Sequence, residues 1–341
     1  MTRVVSTHSP PASRVELQRV LERLLADYFG RPRAIAEIVR RASPYASTFS
    51  IEEIDVTFAD GSELPLLMKD SNRGARLGRD HVAQPDFLHD PMREIEVYRQ
   101  VLPHGPHGPP IHYGHIIDPA GGSRILLERI DGLELRDAAT FSMWELAAQW
   151  IARFHRSFAT VDLTTLAQCS RLLVYDESFY WRWLERAQRF APNPPLRRVL
   201  DRIARGYGRV VSRLTRLPHT VIHGEFYPSN ILVRHTDGAA RVGPVDWEMA
   251  ALGPCFIDLA ALATGWNTRA QRALMRAYRE ATSEGLTNGP RIPSRFLKDF
   301  DACRLHLALR MIGWSARWTP PPHHARDWLT EAEVLADRLR K

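Results

Sequence analysis

A polar stretch from His223 to Asn230 constrains the fold of this chain more than any other feature. It lies between two short apolar runs, 220–222 and 231–233, which predict a loop held between two buried strands. Asp246 comes sixteen residues after Asn230, again at the end of a short apolar strand. We therefore expect polar side chains held in place at neighbouring strand ends.

The side chains in this pattern are of the types that phosphoryl transfer requires. The polar stretch supplies the carboxylate of Glu225 and the carboxamide of Asn230, and Asp246 supplies a second carboxylate. One such group can orient an attacking hydroxyl, and two can hold Mg²⁺ on the phosphates of a nucleotide.

Length and composition predict a globular protein with two lobes. The 341 residues exceed one typical core, and 44% of them are hydrophobic and 25% charged. No apolar run approaches the roughly 20 residues of a membrane span, and the first residues lack the apolar core of a secretion signal. Three scattered cysteines argue against a disulfide framework. We expect a cytoplasmic protein with no membrane partner.

Basic residues give the chain a formal charge of +7, but they are dispersed along predicted helices. A solvated arginine-rich surface explains this pattern, so we expect no nucleic-acid partner. Lysine is the informative residue, because only Lys69, Lys298 and Lys341 occur among 46 lysines and arginines. Lys69 ends an apolar strand, which indicates a need for a compact point charge at that place.

The N-terminal part predicts an opening helix followed by a three-stranded meander. Strands are expected at 34–41 and 50–58, the second of which is rich in β-branched residues. The dipeptide Asp60-Gly61 is typical of a hairpin turn, and it leads into the strand that ends at Lys69.

The connection between the first two strands contains Ser47 and Thr48. Their hydroxyls and backbone amides could cap the phosphates of a nucleotide. The connection lacks a G-x-G pattern, however, and an ordinary turn is an equal alternative.

A helix is predicted after the polar insertion 71–89, with Asp90 as its N-cap and Pro91 at its first position. Glu94 on this helix is the candidate partner of Lys69. An ion pair between the two would direct the lysine toward the α and β phosphates of a nucleotide. The alternative is that Glu94 faces solvent, and spacing alone leaves both open.

A second hairpin ends the first lobe, after which the chain becomes mostly helical. We place the boundary between residues 1–130, the nucleotide-binding lobe, and 131–341, the lobe for catalysis and substrate binding. Extended main chain from Glu128 to Ile130 would then lie at the back of a cleft, where it can hydrogen-bond an adenine edge.

The helical part contains further polar and aromatic candidates. His155 lies on a predicted helix among apolar residues, and we expect a structural role for it. Trp266, Trp314, Trp318 and Arg310 could line a substrate pocket or belong to core and surface.

The sequence matches the motifs of two other chemistries, zinc-dependent deamination and serine hydrolysis, incompletely or not at all. His223-Gly224-Glu225 matches the H-x-E of zinc nucleobase deaminases and Cys255 could begin their P-C-x-x-C, but the second cysteine position is Asp258. A serine hydrolase would need a G-x-S-x-G elbow, which the sequence lacks. A binding protein without catalysis stays open.

In its motifs the chain resembles the aminoglycoside phosphotransferase and choline kinase-like family, which shares the protein-kinase-like fold. The resemblance covers about residues 30–280 and is most specific in the second half. It rests there on three segments, Val221 to Asn230, Val245 to Glu248, and Gly253 with Asp258-Leu259-Ala260. The chain departs from the family at position 225, where glutamate replaces the usual aspartate.

The resemblance implies a role for each matching residue. Glu225 would orient the acceptor hydroxyl, and Asn230 and Asp246 would bind Mg²⁺. Lys69 would hold the ATP phosphates with Glu94 as its anchor. The same resemblance implies that His223 and Asp258 brace the catalytic loop.

We therefore expect an α+β, protein-kinase-like fold, with an antiparallel sheet and a helix in the N-terminal lobe and a larger, mainly helical C-terminal lobe. The expected function is ATP-dependent transfer of the γ-phosphate to a hydroxyl of a small molecule, such as an aminoglycoside, a sugar, an amino alcohol or a natural product. The alternative is a catalytically inactive ATP-binding protein with a regulatory or interaction role.

Overall fold

A five-stranded antiparallel sheet dominates the first part of the chain. The structure is a computed structural model and describes residues 14–45, 49–72, 85–118, 121–137, 140–191, 193–236, 238–282, 292–314 and 326–340. The sheet has the order β1-β2-β3-β5-β4, and its elements are α1 (Arg14–Phe29), β1 (Ile35–Ala42), β2 (Ser50–Phe58), β3 (Glu63–Asp70), β4 (His112–Ile117) and β5 (Ser123–Glu128).

Apolar periodicity explains how α1 and this sheet share one core. Leucines at helical spacing on α1, from Leu17 to Leu25, are buried in a cluster with alternate residues of β2, including Ile54 and Val56. The predicted hairpin is present, since Phe58 donates to the carbonyl of Ser62 at 2.9 Å. The predicted meander is therefore confirmed.

Helices and two small sheets make up the rest of the described chain. The helices are α2 (Arg93–Glu96), α3 (Phe141–Ser157), α4 (Leu163–Ser170), α5 (Glu177–Phe190), α6 (Pro194–Thr215), α7 (Phe256–Leu262), α8 (Thr268–Thr282), α9 (Ser294–Ile312) and α10 (Trp328–Arg340). The strands are β6 (Leu133–Glu134), β7 (Leu173–Val174), β8 (His219–Ile222), β9 (Ile231–Thr236), β10 (Ala239–Pro244) and β11 (Ala251–Pro254). They form the sheets β10-β9-β6 and β7-β11-β8. The expected α+β class, with an antiparallel sheet first and a mainly helical part second, is confirmed.

The helix that was expected to start at Pro91, with Asp90 as its N-cap, begins later. Asp90 accepts a hydrogen bond from the amide of Met92 at 3.0 Å and closes a turn, so α2 starts at Arg93. A π-helical turn, Val97–Val101, and a 3₁₀ turn, Leu102–His104, follow it. The expected start was therefore wrong by two residues, because the side chain of Asp90 caps a turn ahead of the helix.

By contacts the chain divides into two compact units. One comprises Met1–His81 with Pro110–Asp131, and the other comprises Val82–Pro109 with Gly132–Lys341. The segment that carries Glu94 thus groups with the second unit, although it precedes residue 131. The nucleotide and catalytic roles assigned to the two lobes stay predictions. Among the described helices, none is long and apolar enough to cross a membrane.

Candidate active site

The polar stretch of the sequence forms a loop between β8 and β9, as predicted. Its first two amides are held by one carboxylate: His223 donates to Oδ2 of Asp258 at 2.7 Å, and Gly224 donates to Oδ1 at 2.9 Å. Asp258 is fully buried in the first turn of α7, an end of the helix that favours negative charge. The loop is therefore anchored to α7 through its main chain.

His155 supports this anchor from α3. Its Nε2 lies 3.0 Å from Oδ2 of Asp258, and since a carboxylate can only accept, His155 donates this hydrogen bond. Its Nδ1 lies 2.8 Å from the hydroxyl of Tyr278. The contacts of His155 are those of a buried structural residue, as expected.

The side chain of His223 connects the loop to the segment before Asp246. Its Nε2 donates to the carbonyl of Val245 at 2.9 Å, and its Nδ1 accepts from the amide of Glu225 at 3.3 Å. Burial lowers the pKa of His223, which keeps the imidazole neutral. Both ring nitrogens are thus engaged within the fold, and the geometry fits the bracing role that the resemblance implied.

An arginine on α9 holds the side chain of Glu225. Nη2 of Arg310 forms an ion pair with Oε1 of Glu225, and Nη1 donates to the carbonyl of Gly224 at 2.8 Å. The side chain of Arg310 is only 1% exposed and that of Glu225 is 17% exposed. Burial alone would lower the pKa of Arg310, but the neighbouring Tyr175 and Glu225 outweigh it, so the pKa is raised. Sequence reasoning named Arg310 only as a possible pocket residue and missed this pairing.

Asn230 is fixed by hydrogen bonds of its side chain and main chain. Its Nδ2 donates to the carbonyl of Glu225 at 3.1 Å, and its own carbonyl accepts from the amide of Val245 at 2.9 Å. Because the nitrogen of the carboxamide is used in this way, Oδ1 is the atom of Asn230 that can serve as a ligand to a hard cation.

Asp246 lies beside two more carboxylates. Carboxylate oxygens of Glu94, Asp246 and Glu248 lie within 4.8 Å of one another. Glu94 is buried, and its Oε1 accepts from the amide of Trp247 at 3.1 Å, which ties α2 to this segment. Asp246 itself has a left-handed backbone, with φ of +66°.

The predicted metal residues supply a fitting donor set. Carboxylate and carboxamide oxygens are the protein ligands that Mg²⁺ uses. Asp246 and Asn230 are the predicted pair, and Glu248 adds a carboxylate that sequence reasoning did not assign. The signal that could have indicated it is the two-residue spacing of Asp246 and Glu248.

Lys69 lies on β3, the middle strand of the five-stranded sheet. It pairs across the sheet with Ile51 and Ile125, and it is buried. Its ammonium nitrogen lies 5.8 Å from the centre of the Phe49 ring. Lys69 is therefore held on the middle strand of the sheet, and its role toward a nucleotide stays a prediction.

The predicted adenine-binding segment follows β5 in the same unit. The amide of Glu128 donates to the carbonyl of Ile111 at 2.8 Å, and the amide of Arg129 donates to that of Pro65 at 3.2 Å. These two amides bond within the first unit, and the role of residues 128–130 in binding an adenine edge stays a prediction. Ser47 and Thr48 lie outside the described residues.

Comparison with known proteins places this chain in a family. The model of the phosphotransferase enzyme family, APH, matches residues 69–292. The chain belongs to this family. The match extends from Lys69 through the loop and Asp246, and it confirms the resemblance seen in the sequence. No curated protein matches the chain.

Solved structures of small-molecule phosphotransferases share the fold of this family member. One is a microcompartment-associated aminopropanol kinase, 13% identical, with a TM-score of 0.58 and 94% of both chains covered. An aminoglycoside 2'-phosphotransferase-IIIa variant in complex with GDP is 12% identical, with a TM-score of 0.57 over 95% of this chain and 97% of the other. A spectinomycin phosphotransferase in complex with ADP and spectinomycin is 14% identical, with a TM-score of 0.52 over 94% and 98%.

Proposed function

We propose that this phosphotransferase family member transfers the γ-phosphate of ATP to a hydroxyl of a small molecule. One observation carries the proposal: the loop with Glu225 and Asn230 and the segment with Asp246 are joined by direct hydrogen bonds. His223 and Asn230 each bond to Val245, the residue before Asp246. Groups assigned to acceptor and metal are thereby held at fixed spacing, and phosphoryl transfer depends chiefly on positioning.

Glu225 is assigned to the acceptor hydroxyl. Its carboxylate would accept a hydrogen bond from the hydroxyl and orient the oxygen toward the γ-phosphorus. The bond from that oxygen to phosphorus forms as the bond to the departing ADP breaks, and the hydroxyl proton leaves through Glu225. In a loose transition state the carboxylate needs to do little more than orient the hydroxyl, so glutamate can serve where aspartate is usual.

Asn230 and Asp246 are assigned to Mg²⁺, with Glu248 as a further candidate ligand. When bound, the metal would neutralise charge on the phosphates. His223 is assigned no proton transfer, since burial keeps it neutral and both of its nitrogens are engaged.

The phosphates of the nucleotide are assigned to Lys69, and its base is assigned to the segment from Glu128 to Ile130. Glu94 is assigned as the anchor of Lys69, and Ser47 and Thr48 stay candidates for the phosphates. The solved structures with GDP and with ADP support a purine nucleotide as the donor.

The acceptor is assigned by class. The similar structures include an aminopropanol kinase and a spectinomycin phosphotransferase, whose names specify small molecules. The test is ATP consumption against a library of hydroxylated aminoglycosides, sugars, amino alcohols and natural products, with product masses checked for an added phosphoryl group. No phosphorylated product with any acceptor would favour the inactive ATP-binding alternative.

Substitution of Glu225 tests its assigned role. Glu225→Gln removes the negative charge at the same length, and we expect turnover to fall by about 10²- to 10⁴-fold with ATP binding retained. Glu225→Asp should keep part of the activity. Turnover of Glu225→Gln at the parent rate would remove Glu225 from the mechanism while leaving the phosphotransferase assignment in place.

Calorimetry with Mg-ATP tests the nucleotide site separately from catalysis. Lys69→Met should weaken binding, and Asp246→Asn should weaken it only when metal is present. Lys298→Met is the matched control, because Lys298 is exposed on α9. Unchanged affinity in both site variants would contradict the assignment.

A further inference from the structure

Arg310 is a buried charge whose contacts converge on the catalytic loop. It lies near the end of α9, 85 residues from Glu225. Its guanidinium contacts the loop twice, at the carbonyl of Gly224 and at the carboxylate of Glu225. The hydroxyl of Tyr175 lies 3.3 Å from Nη1. We propose that Arg310 is the positioning residue of Glu225, an inference that rests on the proposed function.

Two aromatic rings, besides the carboxylate of Glu225, hold the guanidinium of Arg310. Its Cζ lies 5.4 Å from the centre of the Trp314 ring and 5.9 Å from that of Trp183, and these two rings stack at 5.8 Å. Aromatic rings at this distance attract a cation and restrict its movement. The two rings therefore hold the guanidinium in position for its ion pair with Glu225.

The ion pair restricts Glu225 in turn. A glutamate at a loop has three side-chain torsions, and an exposed one would sample several positions. Pairing with a buried arginine holds Oε1 in one place, because separating two charges in a poorly solvated site is strongly unfavourable. The carboxylate thus has a defined position relative to the main chain of the loop.

The length of the glutamate side chain matters for this contact. Aspartate at position 225 would withdraw the carboxylate by one carbon–carbon bond, about 1.5 Å, and the contact with Arg310 would open. Arg310 and Glu225 are consequently matched in length, because the guanidinium that α9 supplies lies within reach of a glutamate carboxylate and not of an aspartate carboxylate.

A double-mutant cycle tests the proposal. Arg310→Met should lower kcat by about 10²-fold in the parent, as expected for a displaced reacting group, and leave KM for ATP unchanged. In the Glu225→Gln background the same substitution should have little further effect, because Arg310 acts through Glu225. Arg310→Lys should restore part of kcat. Equal losses of kcat in both backgrounds would overturn the proposal, since they would indicate a merely structural role.

Arg213→Met is the matched control. Arg213 also pairs with a carboxylate on α9, Asp299, at 2.6 Å, and it is not assigned to the site. Its loss should leave kcat unchanged in both backgrounds. If Arg310→Met does not fold, Arg310→Lys replaces it in the cycle.

Urea unfolding of the same variants separates this inference from the proposed function. A coupling between Arg310 and Glu225 in the free energy of unfolding is expected whether or not an acceptor is known. Additive effects on unfolding would overturn the pairing, whereas absence of any phosphorylated product from the parent would overturn the proposed function.

Discussion

Replacing Asp258 by asparagine should destabilise the second unit and release the catalytic loop. The buried carboxylate accepts from the amides of His223 and Gly224 and from Nε2 of His155. Asparagine has the same shape but only one acceptor oxygen, so its NH₂ group must face at least one of these three donors. Losing a hydrogen bond to a charged acceptor and leaving a buried donor unsatisfied together lower the free energy of unfolding by about 3 to 5 kcal/mol.

Tryptophan fluorescence during urea unfolding measures this change in one unit. All nine tryptophans lie after residue 132, so the signal reports the second unit alone. Asp176→Asn is the matched control, because Asp176 is the N-cap of α5 and asparagine caps a helix about as well.

The same variant should lower kcat by about 10²-fold, since the loop that carries Glu225 is displaced. Asp258→Asn with a free energy of unfolding within about 1 kcal/mol of the parent would refute the reasoning. It would mean that contacts other than Asp258 hold the loop.

Two further substitutions are predicted to change stability. Gly224→Ala should lower the free energy of unfolding, measured in urea, by about 2 to 5 kcal/mol, because φ is +81° and a Cβ would meet the carbonyl of Met249. Gly238→Ala is the control: φ is +75° but the space around it is open, so it should show only the smaller cost of backbone strain. Burial lowers the pKa of His306 to about 3, so between about pH 6.5 and pH 3 the unfolded chain takes up a proton at this position and the folded chain does not. The free energy of unfolding should therefore be about 2 kcal/mol lower at pH 5 than at pH 7. His306→Phe should remove this difference when urea unfolding is measured at pH 7 and at pH 5. The control His235→Gln changes an exposed histidine and should leave the pH dependence of stability unchanged. The same pH dependence in His306→Phe as in the parent would show that His306 is not its cause.

Local patterns in the sequence predicted much of the fold and the composition of the loop. Apolar runs around the polar stretch located β8 and β9, and the Asp60-Gly61 turn located the hairpin before Lys69. These signals work because the residues that decide such structures are neighbours along the chain. The late start of α2 was missed because the side chain of an aspartate can cap either a turn or a helix, and the sequence around Asp90 does not distinguish the two.

The contacts that hold the loop could not be predicted by the same means. Arg310 pairs with Glu225 across 85 residues, and no periodicity connects a position on α9 with one on the loop. The bracing role of Asp258 came from resemblance to a family, and the sequence alone did not show which groups it holds. Long-range pairing depends on how helices pack, and local patterns in a sequence do not reveal that packing.

The left-handed backbone of Asp246 sets stability and activity against each other at a single position. A non-glycine residue at φ of +66° carries about 1–2 kcal/mol of strain that glycine would relieve. Selection in the laboratory for thermal tolerance alone would therefore favour Asp246→Gly, and the resulting protein would lose the carboxylate assigned to the metal. A library screened for both properties at once should recover stabilising changes elsewhere and keep aspartate here.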